Sequence, residues 1–335
     1  MQKTIFVVDD SLSNLSLAEE VLEKKYRVVT LSSAKKLFMA LEKQIPDLIL
    51  LDIAMPDMSG FDAIKQLKNN GAYAQIPVIF LTALTDSFNE ALGIQLGAVD
   101  FITKPFSEPV LMNRIKNHIL IEELIGEKTA QLTQLKNGIV FTMADIVESR
   151  DKNTGGHIKR LQHYLKVLLS AMTMQNAYAD EISKWDIDAF ISSADLHDLG
   201  KICVPDSILN KPGALTEQEF DTIKSHAAEG EKIISQMIGR TDETEFLHNA
   251  KLIAAHHHER WDGAGYPRAL TETDIPLQGR IVALADAYDA LVSERPYKKA
   301  VSHEEAVDTI MKDAGQHFDP LIAEVFYKVN DQFKL

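Results

Sequence analysis

The sequence predicts a multidomain protein: a doubly wound α/β domain with a five-stranded parallel sheet, followed by an all-α domain. Three observations support this. Five short apolar runs alternate with helical patterns across residues 4–121, the rhythm of β-α-β units. From about Gly138 onward, long stretches repeat with helical period and no alternating β pattern of comparable length appears. The length of 335 residues suits about two domains of roughly 100–200 residues each.

Composition narrows the function classes. A net charge of −14 argues against a nucleic-acid or anionic-membrane surface, because condensed phosphate demands a basic face. An anionic substrate must therefore meet a local basic pocket. The single cysteine, Cys203, excludes an intramolecular disulfide. No run approaches the ~18 apolar residues of a membrane helix, and the stretch from Met1 to Asp10 has too short an apolar core for a signal peptide. A cytoplasmic location is the expectation.

The strands of the first half are expected at Thr4 to Val8, Arg27 to Leu31, Asp47 to Leu51, Pro77 to Thr82 and Asp100 to Ile102. In a doubly wound sheet the functional crevice lies at the carboxyl ends of the strands. Asp9 and Asp10 follow the first run, Asp52 the third, Thr82 closes the fourth and Lys104 follows the fifth. Three crowded carboxylates repel one another, which a hard divalent cation such as Mg²⁺ relieves. A cation and a lysine beside a carboxylate suit phosphoryl transfer onto it, since they neutralise the charge of the new acyl phosphate.

These residues carry a resemblance to a response-regulator receiver domain, of flavodoxin-like fold, over residues 1–121. The matching motifs are Val8-Asp9-Asp10, the run from Asp52 to Gly60, Leu81-Thr82-Ala83 and Lys104-Pro105-Phe106. The resemblance implies Asp52 as phosphoacceptor, with Mg²⁺ held by Asp9, Asp10, Asp52 and the Ala54 carbonyl. It further implies Thr82 and Lys104 on the phosphoryl oxygens, Phe101 as the aromatic switch residue, and a cis Lys104–Pro105 bond. A sensor histidine kinase is the implied partner.

A connecting helix is expected over 109–150, where only Gly126 and Gly138 interrupt helix-compatible residues. Ile125, Leu132, Ile139 and Ile146 recur every seven residues, with Ile121 and Leu135 at the companion position and Lys128 and Thr142 breaking that second stripe. The pattern fits either a coiled coil with a second copy of the chain or a single helix packed on one domain. Either version offers a route from Asp52 to the second half.

The second half, 140–335, has helical stretches near 157–172, 180–199, 216–238, 243–258, 277–293 and 303–331. The stretch from Ala194 to Lys201, with His197 beside Asp198, is expected to close the second of these. The candidate metal ligands are His157, His197, Asp198, His226, His257, His258 and Asp286. Imidazoles suit borderline transition metals and a carboxylate can bridge two ions, so the set fits a pair of divalent metals. Lys201 is placed to stabilise negative charge on a phosphate. Any one histidine alone has a structural explanation; the order of the set carries the argument.

That order resembles the HD-GYP subgroup of HD-domain phosphohydrolases. The match runs through Glu148-Ser149-Arg150-Asp151, Thr154-Gly155-Gly156-His157, His197-Asp198-Leu199-Gly200-Lys201 and His226-Ala227-Ala228-Glu229-Gly230. It continues through the signature from His257 to Pro267, then Asp286-Ala287-Tyr288-Asp289, Arg295-Pro296-Tyr297-Lys298 and His317-Phe318-Asp319-Pro320. The resemblance implies hydrolysis of cyclic di-GMP to pGpG and, in some members, on to GMP. It implies the seven ligands above around two Fe, Mn or Ni ions, with Asp198 bridging. Asp198 and Lys201 would be catalytic, and Lys201, Arg295 and Lys298 would contact the substrate's phosphates. Some members carry a glutamate for a third metal where this chain has Asn153, and a neutral amide favours a binuclear site.

A phosphorylation-controlled cyclic di-GMP phosphodiesterase is the leading expectation. The same metals could serve another cyclic dinucleotide such as cyclic GMP-AMP, because they read only the phosphate. A non-catalytic nucleotide-sensing scaffold is the alternative from another class, and the loop around Gly263-Ala264-Gly265-Tyr266-Pro267 is a candidate face for a signalling partner. Its glycines permit unusual backbone angles.

Overall fold

Strands β1 (Thr4–Val8), β2 (Arg27–Leu31), β3 (Leu48–Asp52), β4 (Val78–Thr82) and β5 (Asp100–Thr103) form one parallel sheet in the order β2-β1-β3-β4-β5. The computed structural model describes residues 2–83, 87–150, 156–241, 245–294 and 299–334. Two compact units divide it, Met1–Leu132 and Thr133–Leu335.

In the first unit β1, β3 and β4 are buried on both faces, which is why they read as unbroken apolar runs. Phe6, Val8, Ile49, Leu51 and Phe80 pack toward α2 (Ala34–Leu41) and α3 (Gly60–Asn69), following α1 (Leu12–Leu22). Alternate residues Ile5, Val7, Leu50, Ile79 and Leu81 pack toward α1 and the start of α5 (Glu108–Arg150), with α4 (Ser87–Gln95) between β4 and β5. Ser33 and Ser59 cap α2 and α3 by accepting the backbone N–H groups of Lys36 and Asp62. The third strand starts one residue later than expected, and the Asp47 carboxylate ahead of it accepts the Thr4 N–H at 2.8 Å. The Lys104–Pro105 bond is cis, as the resemblance implies, and so is Tyr266–Pro267.

α5 is one helix of 43 residues that Gly126 and Gly138 do not break. Ile125, Leu132, Ile139 and Ile146 are all more than half exposed on it. Val140 and Val147, on another face, join Leu196, Leu199, Ile234, Phe246 and Ala250 in a core of the second unit.

That unit adds α6 (His157–Met174), α7 (Ala179–Ile182), α8 (Ile187–Ser193), α9 (Asp206–Leu209) and α10 (Glu217–Ile238). α11 (Glu245–His256), α12 (Leu277–Val292), α13 (His303–Lys312) and α14 (Pro320–Val329) complete it. Among its described residues the only β pairing is an isolated bridge between Ala314 and Phe318. Its larger core stacks Leu161, Tyr164, Leu165 and Leu168 of α6 against Ile281 and Tyr288 of α12 and Phe326 of α14. Among the described residues no helix is long and apolar enough to cross a membrane.

Two helical expectations need correction. The stretch 180–199 is not one helix: α7 ends, Asp186 caps α8 through the Ala189 N–H at 3.0 Å, and two 3₁₀ turns, Ala194–Leu196 and Leu199–Cys203, follow. His197 and Asp198 lie between those turns rather than at the end of an α-helix. The stretch 303–331 is also broken, because Gly315 takes a left-handed φ of 78° and Asp319 caps α14, with Pro320 at its start.

Candidate metal centre

Five elements build the site around Asp198. His197 and Asp198 come from the link between the 3₁₀ turns, His226 from the middle of α10, and His257 and His258 from just beyond α11. His157 opens α6 and Asp286 lies on α12. Gly200 makes this close approach possible: a Cβ there would lie 1.9 Å from the His226 carbonyl oxygen and 2.5 Å from the Gly230 nitrogen. Only a residue without a side chain lets the turn lie against α10.

The ligand atoms fall into two groups, Asp198–His226–His257–His258 and His157–His197–Asp286, each with its members within 4.8 Å of one another. Asp198 also reaches the second group, its Oδ2 lying 3.3 Å from His197 Nε2 while Oδ1 lies 3.3 Å from His226 Nε2 and 3.8 Å from His257 Nε2. His157 and His197 approach through their Nε2 atoms at 3.4 Å, and His157 Nε2 is 3.5 Å from Asp286.

The opposite ring nitrogens face acceptors. His197 Nδ1 faces the Ala194 carbonyl at 2.9 Å, His226 Nδ1 that of Ile223 at 2.6 Å and His257 Nδ1 that of Ile253 at 3.0 Å. His157 Nδ1 faces the Asp289 carboxylate at 2.8 Å. In the tautomer this favours, each Nδ1–H donates and each Nε2 lone pair points inward, the state in which imidazole binds a metal. Asp198 Oδ1 is buried with no hydrogen-bond partner, a costly arrangement for a carboxylate oxygen that a cation would relieve. The donor set therefore fits a pair of borderline divalent ions.

Electrostatics agree. Burial opposes ionisation of Asp198, but Lys201, at 2.7 Å from Oδ2, and His197 outweigh it and hold the carboxyl well below its ordinary range. Burial, then the charge on His197, pushes His257 down to about 3, and burial and His257 push His258 well below its ordinary value. His197 differs: burial acts against its proton, yet Asp198 raises it to about 9, so a metal held there would have to displace that proton.

The receiver-type crevice is also assembled. Lys104 Nζ lies 2.6 Å from Asp9 Oδ2 and 2.7 Å from Asp52 Oδ1, while Asp9, Asp10 and Asp52 form a third group of candidate ligands. Burial raises Asp52 above its ordinary value, Lys104 opposes this and Asp9 adds to it. Thr82 is buried beside them at the end of β4, its carbonyl accepting the Lys104 N–H at 2.7 Å, and Ala54 is exposed in the loop after β3. Phe101 is half-buried and packs on Phe80 with ring centres 5.5 Å apart. Arg295, Lys298 and Asn153 lie outside the described residues.

Two family patterns match the chain: "Response regulator receiver domain" over residues 5–116 and "HD domain" over residues 142–322. The chain belongs to the HD-domain response regulators. It is accordingly a metal-dependent hydrolase, and its receiver domain implies a phosphodonor such as a histidine kinase. A "Probable cyclic di-GMP phosphodiesterase" of Vibrio cholerae is 41% identical to this response regulator over 97% of its chain and 77% of the relative's. The "Cyclic di-GMP phosphodiesterase response regulator RpfG" of Xanthomonas campestris is 29% identical, over 98% of this chain and 88% of that one. A "3'3'-cGAMP-specific phosphodiesterase 2" of Vibrio cholerae is 37% identical over 60% of this chain and 36% of its own.

Several residues around the response regulator's metal centre stand in the quoted motifs but received no role at the site from the sequence. Asp289 accepts from His157 and takes Arg160 Nε at 2.7 Å and Nη2 at 3.0 Å. Its signal was available, since it lies three residues after Asp286 on one helix face. Tyr266 packs on His258 with ring centres 4.8 Å apart, which explains the aromatic in the glycine-rich turn. Glu148, at the end of α5, accepts the His157 N–H at 3.2 Å.

Proposed function

We propose that this chain is a phosphorylation-controlled phosphodiesterase that hydrolyses cyclic di-GMP to pGpG at a binuclear centre. The observation that carries the reading is Asp198: one half-buried carboxylate faces both histidine groups, and its enclosed Oδ1 has no hydrogen-bond partner. His157, His197 and Asp286 would hold one ion, His226, His257 and His258 the other, with Asp198 between them. Bound metals would supply Lewis-acid stabilisation of the phosphoryl oxygens and a water nucleophile at neutral pH. Lys201 would place its ammonium against the scissile phosphate, and Tyr266 would fix the His258 ring. Arg295 and Lys298 are proposed, from the motif alone, as contacts for the substrate's phosphates.

The 1–121 segment would act as phosphoacceptor domain with Mg²⁺ and Asp52, and the 140–335 segment as phosphohydrolase, joined through 109–150. The exposed stripe on α5 supports association with a second copy, which sedimentation of the full chain would test. Hydrolysis of a nucleotide second messenger and phosphorylation by a kinase would suit the cytoplasm.

The test is cyclic di-GMP hydrolysis by protein purified without oxygen and reconstituted with Fe²⁺, Mn²⁺ or Ni²⁺, with metals counted in the same samples. Turnover with about two metals per chain is the expected result; no turnover in any loaded form overturns the reading, and three metals per chain overturns the binuclear count. The similarity to a relative named for cyclic GMP-AMP favours a second reading, in which another cyclic dinucleotide is preferred. Side-by-side turnover of the two substrates separates them.

A further inference from the structure

The last residue of α5 does something the metal centre does not account for. Arg150 turns its guanidinium onto the 3₁₀ turn that carries Lys201 and makes five hydrogen bonds there. Nη1 donates to the carbonyls of Lys201 at 3.3 Å and Ile202 at 3.0 Å, Nη2 to that of Val204 at 3.1 Å and to Asp206 Oδ1 at 2.7 Å, and Nε to the same oxygen at 3.1 Å. The Arg150 carbonyl accepts from Asn210 Nδ2 at 2.8 Å, closing the loop from the other side. A 3₁₀ turn leaves its carbonyls poorly satisfied, and a planar guanidinium with five donors gathers them in one fixed geometry where a lysine would be a point charge.

We infer that Arg150 is a positioning residue for the hydrolysis: it fixes the 199–204 turn so that the Lys201 ammonium stands where the scissile phosphate is expected. This rests on the reading of Lys201 as a phosphate contact. The metal ligands depend on it less, because His197, His226 and His257 are each oriented by a carbonyl of their own segment. Arg150 therefore acts on the catalytic geometry and not on metal loading. Glu148, two residues earlier, holds the His157 N–H, so the end of α5 grips both sides of the centre.

The experiment uses the metal-loaded full chain. Arg150→Ala is expected to lower kcat by ~10- to 100-fold with KM changed little, as for a misplacement of about 1 Å. Arg150→Lys, which restores charge and some donors, should recover part of that loss. In a Lys201→Ala background the same Arg150→Ala change should cost less than about twofold, because a residue acting through Lys201 is non-additive with it. Metal content should stay at the wild-type count, and amides 199–204 should exchange hydrogen faster in Arg150→Ala. An equal fold-loss in both backgrounds, a loss of metal, or unchanged exchange in that turn would overturn the inference. If Lys201→Ala alone leaves turnover intact, the reading of Lys201 fails, and the exchange result still reports whether Arg150 holds the turn.

Discussion

Replacing Asp289 with Asn should weaken one metal position ahead of the other. Its carboxylate accepts four hydrogen bonds, from His157 Nδ1 at 2.8 Å, Arg160 Nε at 2.7 Å, Arg160 Nη2 at 3.0 Å and Ser293 Oγ at 3.3 Å, and it is 1% exposed. Asn keeps the volume and one acceptor but removes the charge, so His157 loses its fixed tautomer and Arg160 its ionic partner. Partners of this kind typically cost about 10- to 100-fold in metal affinity when removed. Breaking a buried pair at one end costs about 3–5 kcal/mol, and with the Arg160 side chain 27% exposed the lower end applies. Only the His157–His197–Asp286 group touches Asp289 through a ligand, so dialysis of Asp289→Asn against graded chelator should release one equivalent while wild type keeps both. Metals lost together, or retention equal to wild type, would refute the reasoning.

Asp52→Asn should abolish incorporation of phosphate from an acyl-phosphate donor, and persistent labelling of that variant would place the acceptor elsewhere. Gly200→Ala should destabilise by more than about 3 kcal/mol or yield insoluble protein, since its Cβ meets backbone at 1.9 Å. Gly230→Ala, whose Cβ meets the Ala254 side chain and the Gly200 nitrogen each at 3.3 Å, should cost less, so equal losses in chemical unfolding would contradict the packing argument. Burial and the bond to Asp319 raise Tyr178 from 10.0 to about 12. The folded protein thus keeps a proton that the unfolded chain releases, and this contribution is full below pH 10 and fades as pH rises toward 12. Unfolding midpoints at pH 9 and about pH 11 should show that loss in wild type and a smaller one in Tyr178→Phe; identical slopes would deny it.

The sheet was legible because parallel strands buried on both faces leave unbroken apolar runs, and Asp52 and Lys104 stand at strand ends where topology forces convergence. The grouping of the candidate ligands was legible because metal chemistry restricts residue type and the motif order matched a known family, and His157, His197, His226, His257 and His258 do come together around Asp198. What escaped was set by tertiary contact. Nothing local distinguishes a 3₁₀ turn at 199–203 from a continuing helix; the difference comes from Gly200 lying on the His226 carbonyl. Asp289 and Arg150 stood in quoted motifs, but their roles escaped because their partners lie 132 and 51–56 residues away in the chain.

The hydrogen bonds of the ring Nδ1 atoms imply an order of assembly. His197 and His226 are tied to carbonyls three residues upstream and His257 to one four residues upstream, so these rings are aimed as soon as their own segments form. His157 is aimed by Asp289 across two helices and takes its orientation only when α6 and α12 dock. The centre is thus three parts local template and one part keystone, and the keystone is the piece that reports whether the bundle has closed.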